Sequence, residues 1–300
     1  MKTDTKEVQY HVSEVIQTCD TIKNKEMRVI YKMILVVLKK GFYMKKLCIF
    51  ILLVNSFALF PCSIFTYVDG SDIYFCGNED WMYKNPSLLC VPSEEDEYGV
   101  LLLGWDTLLP SYPQAGVNSF GLCFDWASVP AQKYTLEKDK QYLNSNDTIR
   151  ILKKCRTVDE AVDFIKKANF PHIAEEHIMF ADRSGNSCII EFTKGELKVI
   201  KSSCTQYITN FNITDKEAGW YPCSRYETLS RMLCNTGLKN QNLVNVLDAV
   251  HQEGGYPTVY SYIMNLSKMT ITLFYNYDYS KSKEYSIAAL IRNREKITIE

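Results

Sequence analysis

Cys62 opens the segment Cys62-Ser-Ile-Phe-Thr-Tyr67, directly behind an apolar run that ends Ala58-Leu-Phe-Pro61. If the chain is cut before Cys62, one residue carries both a nucleophilic thiol and a free α-amine. The amine can then serve as the general base for the thiol, and acyl transfer is the chemistry such a pair performs. A structural cysteine beside a cleavage point is the plain alternative, and Cys62 alone does not choose between them.

The run before it has the parts of a secretory leader: Lys45-Lys46, then apolar residues through Phe60. It is short for a membrane span. Ser56 and Ala58 place a signal-peptidase cut after Ala58, which leaves Leu59-Phe-Pro61 as a pro-piece to be lost in a second step. Self-cleavage is open for that step. The expected compartment is secreted, periplasmic or lumenal, with a membrane-anchored form if the leader stays. Lipidation of Cys62 is the rival, although Phe60-Pro61 makes a poor lipobox. Residues 1–43 are read as an N-terminal extension from a start assigned too early, residues 44–61 as signal peptide plus pro-piece, and residues 62–300 as the functional domain.

The elements that must position Cys62 are strand-rich at first. Ser63–Tyr67 and Ile73–Phe75 flank Asp69-Gly70, a hairpin signal, and strands are expected at Tyr98–Trp105 and Gly121–Trp126. Apolar spacing predicts one helix over Asn146–Ala168. A meander follows at Ile178–Ala181, Cys188–Phe192 and Leu197–Ile200. Helices are expected at Ser224–Leu233 and Asn242–His251, and strands at Tyr256–Met264, Thr270–Tyr277 and Ser286–Ile291. This order suits an α+β layered domain and not a doubly wound parallel sheet.

Composition narrows the function classes. A net charge of -1 with no basic stripe argues against nucleic acid as a partner. Of eleven cysteines, nine fall from Cys62 onward, so eight could pair and leave one free in an oxidising compartment. Buried unpaired thiols fit the same count. His172 and His177 are five apart and lack the spacing of a zinc helix. Asn146, Asn212 and Asn265 begin glycosylation sequons. The His251-Gln-Glu253-Gly-Gly255 stretch reads as a glycine-capped helix end, outside any active site.

Further segments carry a family resemblance. Phe75-Cys-Gly-Asn-Glu-Asp80-Trp81, Gln114-Ala-Gly-Val-Asn118-Ser-Phe-Gly-Leu122, Tyr207-Ile-Thr-Asn210 and Cys223-Ser-Arg225-Tyr follow Cys62 in that order. Together they resemble the choloylglycine hydrolase and penicillin V acylase family of N-terminal-nucleophile hydrolases, related to acyl-CoA:6-aminopenicillanic acid acyltransferases. The resemblance implies an α+β, four-layer αββα sandwich. It also implies catalytic roles: Cys62 as nucleophile, Asp80 orienting its amine, Asn210 donating to the oxyanion and Arg225 as the active-site cation. Asn78, Trp81 and Ser128 map to substrate binding, with the backbone N–H of Ser128 or a neighbour as second oxyanion donor. Asn118 reads as a turn residue.

The physics of these roles is coherent. Free thiols and α-amines titrate near ~8.5 and ~7.7–8.0, so proton exchange between them is nearly balanced. A removed oxyanion donor typically costs roughly 2.7–4 kcal/mol of barrier. One departure is Gly77, where many relatives carry Arg or Lys. The implied activity is hydrolysis of a linear amide of a small N-acyl substrate through a thioester, with no cofactor. Acyl transfer to another amine and a non-catalytic lipidated surface protein are the alternatives. The acyl group and the state of homo-oligomerisation stay open.

Overall fold

The structure is a computed structural model, and it describes residues 62–82, 84–233 and 243–300. The expectations for the extension, the leader and the pro-piece therefore lie outside the described residues. In chain order the strands begin with β1 (Ser63–Asp69), β2 (Asp72–Asp80), β3 (Pro86–Val91), β4 (Val100–Trp105), β5 (Ala115–Asn118), β6 (Cys123–Ser128), β7 (Gln141–Tyr142) and β8 (Ala168–Asn169). They continue as β9 (Glu176–Ala181), β10 (Ser187–Thr193), β11 (Glu196–Ser202), β12 (Tyr207–Ile208), β13 (Thr258–Asn265), β14 (Thr270–Tyr275), β15 (Lys283–Ser286) and β16 (Lys296–Thr298). The helices are α1 (Asp147–Lys154), α2 (Val158–Lys166), α3 (Ser224–Leu233), α4 (Leu243–Ala249) and α5 (Ile287–Asn293).

Two antiparallel sheets carry the fold, ordered β12-β1-β2-β13-β14-β15 and β11-β10-β9-β6-β5-β4-β3-β16. Gly70 adopts φ +61° in the two-residue turn that pairs Asp69 with Asp72, a conformation an L side chain rarely accepts. Because side chains alternate along a strand, Ile64 and Phe75 face the other sheet while Phe65 and Cys76 face outward. The inter-sheet core gathers these with Leu101, Val117, Met179 and Tyr262. Helices α1 and α2 cover the larger sheet through Ile151, Leu152, Val162 and Ile165 against Phe124 and Phe180. Helices α3 and α4 cover the smaller sheet through Leu229, Val246 and Leu247. The layers thus run helix, sheet, sheet, helix, and each fully buried Leu or Phe contributes roughly 1.5–3 kcal/mol.

Several expectations need correction. The helix expected over Asn146–Ala168 is two helices, α1 and α2, separated at extended Cys155. Asn118 causes the break: its Nδ2 donates to the carbonyls of Leu152 and Cys155, each at 2.7 Å. Thr157 then restarts the helix by accepting from the Glu160 N–H. The strand expected at Ser286–Ile291 is helix α5, which Ser286 caps through the Ala289 N–H. A short apolar run does not distinguish strand from helix by periodicity. No disulfide joins the eight described cysteines, all of which are free thiols. Cys76, Cys123 and Cys188 are buried between layers, where an apolar side chain would serve as well.

Candidate active site

Cys62 sits immediately before β1 at the end of the inter-sheet core, and it is buried. Its backbone N–H donates to Asn210 Oδ1 at 3.0 Å. Arg225, from the first turn of α3, reaches the same corner with a full fork. Its guanidinium donates to Cys62 O at 2.6 Å, Ser63 Oγ at 2.9 Å and Asn210 Oδ1 at 2.7 Å. Asn210 Nδ2 donates to Ser128 O at 3.0 Å. Two donors on Oδ1 and an acceptor at Nδ2 fix the orientation of this amide. The sequence-predicted Cys62, Asn210, Arg225 and Ser128 therefore meet at one place.

Asn210 and Asp80 each have defined hydrogen-bond partners. The amide Nδ2 of Asn210 donates to Ser128 O, while its oxygen takes the Cys62 N–H. Ser128 faces the site with its carbonyl, and its hydroxyl donates to Glu176 at 3.3 Å. The Asp80 carboxylate accepts from Gln252 Nε2 at 3.0 Å and from the Thr258 hydroxyl. It is the backbone of Asp80 that hydrogen-bonds the Cys62 thiol. Burial pushes the Asp80 carboxyl up to about 7 against the opposing pull of Arg225, Thr258 and Gln252. The segment read as an unrelated helix end thus supplies Gln252 to the site.

Strand alternation separates the remaining candidates. Asn78 points outward, donating to Leu247 O of α4 at 2.9 Å and accepting from Tyr279 at 3.4 Å. It braces the α4 layer and does not join the thiol. Trp81 stacks on Trp105 with centroids 6.1 Å apart, and Trp105 meets Tyr260 edge-on at 5.5 Å. These rings form an aromatic wall at the end of β2 and β4.

The inner face of β2 holds what sequence reasoning missed. Glu79, given no role by the sequence, is buried with Oε2 3.5 Å from Cys62 Sγ. Asp125, on β6, is a neighbouring buried carboxyl that raises the pKa of Glu79, and Asp125 itself accepts from the Tyr262 hydroxyl and the Trp126 N–H, while Glu79 Oε1 is buried with no hydrogen-bond partner. The period-2 pattern alone places Glu79 beside Gly77 and Phe75 facing the core. It also places Asp125 between the inward residues Cys123 and Ala127. Burial, then repulsion from Asp125, pushes Glu79 well above the usual carboxylate range. Asp125 is pushed up to about 7 by burial, offset by its hydrogen bonds. Burial and the neighbouring Glu79, Asp80 and Asp125 charges push the Cys62 thiol well up, so the thiol is neutral at pH 7.

Gly77 is also explained here. A Cβ at that position would lie 2.7 Å from the Tyr262 hydroxyl and 2.8 Å from Asp125 Oδ2. Asp125 and Tyr262 occupy the space a longer side chain would need.

A second missed group supports Asn210 from behind. Glu191 accepts from the Ile213 N–H at 2.9 Å, the Thr214 N–H at 2.7 Å and the Thr214 hydroxyl. His177 bridges from Glu191, 3.6 Å away, to the Thr209 carbonyl at 2.7 Å. Both side chains are fully buried, so the loop 209–214 is tied to the large sheet.

The sequence profile described as acyl-coenzyme A:6-aminopenicillanic acid acyl-transferase matches residues 69–244, more than half of the chain. The chain belongs to that family. Among solved structures, a variant of conjugated bile acid hydrolase from Clostridium perfringens superposes with a TM-score of 0.62 at 17% identity, covering 79% of this chain and 96% of that one. Penicillin V acylase from Agrobacterium tumefaciens superposes with a TM-score of 0.55 at 12% identity, covering 71% of this chain and 82% of that one. No curated protein sequence matches this chain. The family relationship expected from the motifs holds, and the fold is the α+β sandwich of N-terminal-nucleophile hydrolases.

Proposed function

We propose that the chain matures to begin at Cys62 and then cleaves a linear carbon–nitrogen amide bond of a small N-acyl substrate. Cys62 Sγ attacks the acyl carbon, the amine product leaves, and water resolves the thioester. The observation that carries this reading is the fork of Arg225 and the Asn210 amide closing on the Cys62 backbone, with Sγ turned to the carboxyl groups between the sheets. Once freed, the Cys62 nitrogen stays within reach of Asn210 Oδ1 and is oriented beside its own thiol. The scheme calls on no metal or organic cofactor. Removal of a signal peptide ahead of Cys62 implies a secreted, periplasmic or lumenal enzyme.

Family membership supports a second reading, in which another amine replaces water as the acyl acceptor. Both readings share the thioester. Protein with Cys62 freed, incubated with a panel of N-acyl amides, is expected to release amine and to show a thioester mass adduct on trapping. Adding acceptor amines separates hydrolysis from transfer. Cys62→Ala is expected to lose at least about 10³-fold of the rate, since it removes the nucleophile. Turnover that survives in Cys62→Ala would overturn the proposal.

A further inference from the structure

The inner face of β2 leaves polar atoms without partners beside the thiol. Glu79 is 1% exposed, and its Oε1 has no hydrogen-bond partner among the described residues, while its Oε2 lies 3.5 Å from Cys62 Sγ. Tyr260 stands opposite Glu79 in the register of β13 with β2, so the two side chains share a face. The Tyr260 hydroxyl is buried and has no partner either. Unpaired buried polar groups are costly and rare in native folds. Two of them on one face, next to a cysteine thiol, mark the place of a missing polar partner.

The surroundings define the charge of that partner. Glu79, Asp125 and Asp80 all bring negative charge to the thiol. The Arg225 guanidinium is engaged elsewhere, with Cys62 O, Ser63 Oγ and Asn210 Oδ1. A carboxylate placed against Glu79 would meet like charge, whereas a cation would be held. An ammonium has three N–H donors and no acceptor, which suits a carboxyl oxygen and a phenol oxygen that receive no other donor. The aromatic wall suits it too. Trp105 meets Tyr260 edge-on at 5.5 Å and stacks on Trp81 at 6.1 Å, and ring faces attract such cations.

We propose that Glu79, with Tyr260 and the Trp81–Trp105 wall, forms a cation subsite, and that the preferred substrates are N-acyl amides bearing an ammonium group a few bonds from the scissile carbonyl. This rests on the reading of Cys62 as the nucleophile, because the 3.5 Å between Glu79 and Sγ is what sets that spacing. A docked ammonium favours the ionised form of Glu79, which burial and Asp125 otherwise oppose. The departing amine and the acyl chain can each carry the ammonium, and matched probes separate the two.

The test compares N-hexanoyl ethylenediamine, N-hexanoyl ethanolamine and N-hexanoyl glycine, which present a cation, a neutral group and an anion at similar size. β-Alanyl hexylamide places the cation on the acyl side. With Cys62 freed by an outside protease, kcat/KM is expected to be highest for a cationic amide and lowest for the glycine amide. Glu79→Gln is expected to lower the ratio of cationic to neutral turnover about 10–100-fold, the size of a hydrogen bond to a charged group. Tyr260→Phe, which removes one hydroxyl, should lower that ratio less. Circular dichroism verifies that each variant folds. Calorimetric binding to protease-treated Cys62→Ala protein reads the subsite without turnover, and the cationic probe should bind tighter than the neutral one until Glu79→Gln is added. Equal binding of cationic and neutral probes sinks the inference, as does a cation-to-neutral ratio that Glu79→Gln leaves unchanged. Cation-selective binding with no turnover of any amide would instead uphold the subsite and count against the proposed function.

Discussion

Glu191→Gln tests whether the loop carrying Asn210 is held by charge buried beneath it. The carboxylate accepts from Ile213 N–H, Thr214 N–H and the Thr214 hydroxyl, and it faces His177 Nδ1 at 3.6 Å. Glutamine keeps one oxygen for the Thr214 donors but turns an NH₂ toward the Ile213 N–H. Hydrogen bonds to charged groups contribute about 1.5–3 kcal/mol against about 0.5–1.5 for neutral ones, and a stranded buried donor costs about 1–3. Together these predict a loss of about 2–4 kcal/mol, or a urea midpoint lower by about 1 M for an m of a few kcal/mol/M. The pH dependence has a definite sign. Burial raises the Glu191 carboxyl, but the bonds from His177 and Thr214 outweigh it and hold it below its ordinary value. Its contribution is therefore present above the unfolded value of about 4.3 and lost as pH falls through the folded one. Urea unfolding of the two proteins should differ fully at pH 7 and converge in acid below about pH 4. A difference at pH 7 within the ~0.5 kcal/mol of an ordinary surface change would refute the reasoning.

Two further substitutions probe the same corner. Gly77→Ala places a methyl 2.7 Å from the Tyr262 hydroxyl and should cost about 1–3 kcal/mol by overpacking, with Gly77→Arg worse still; an unchanged thermal midpoint for Gly77→Ala would contradict the crowding. Asp80 stands at about 7 when folded, raised first by burial, against about 3.9 unfolded. Its contribution is full below the unfolded value and lost as pH rises through about 7. Asp80→Asn should therefore gain in melting temperature relative to wild type between pH 5 and pH 8, and a difference independent of pH would exclude that origin.

Local sequence is enough to reveal the family and the segments that carry it. Cys62 behind an apolar run, the Asp69-Gly70 hairpin and the separated Asn-Glu-Asp, Thr-Asn and Ser-Arg-Tyr segments are all legible in order along the chain. Period-2 alternation supports most strands because one face of each must be apolar. The break between α1 and α2 is not legible, because the groups that end α1 belong to Asn118, some 34 residues earlier. The free thiols are not legible either, since a count of cysteines carries no information about burial.

The tertiary structure decided which polar side chains converge. The linear motif gives Glu79 no role of its own, yet β2 turns Asn78 and Asp80 to one face and Glu79 to the other. Packing of the larger sheet brings Asp125 of β6 to that inner face, and pairing of β13 with β2 sets Tyr262 opposite Gly77 there. The residue type and chain position of Cys62 are local properties, readable without a structure. Its electrostatic environment is a sum over charges distant in sequence and close in space, with strengths set by burial that no short segment specifies.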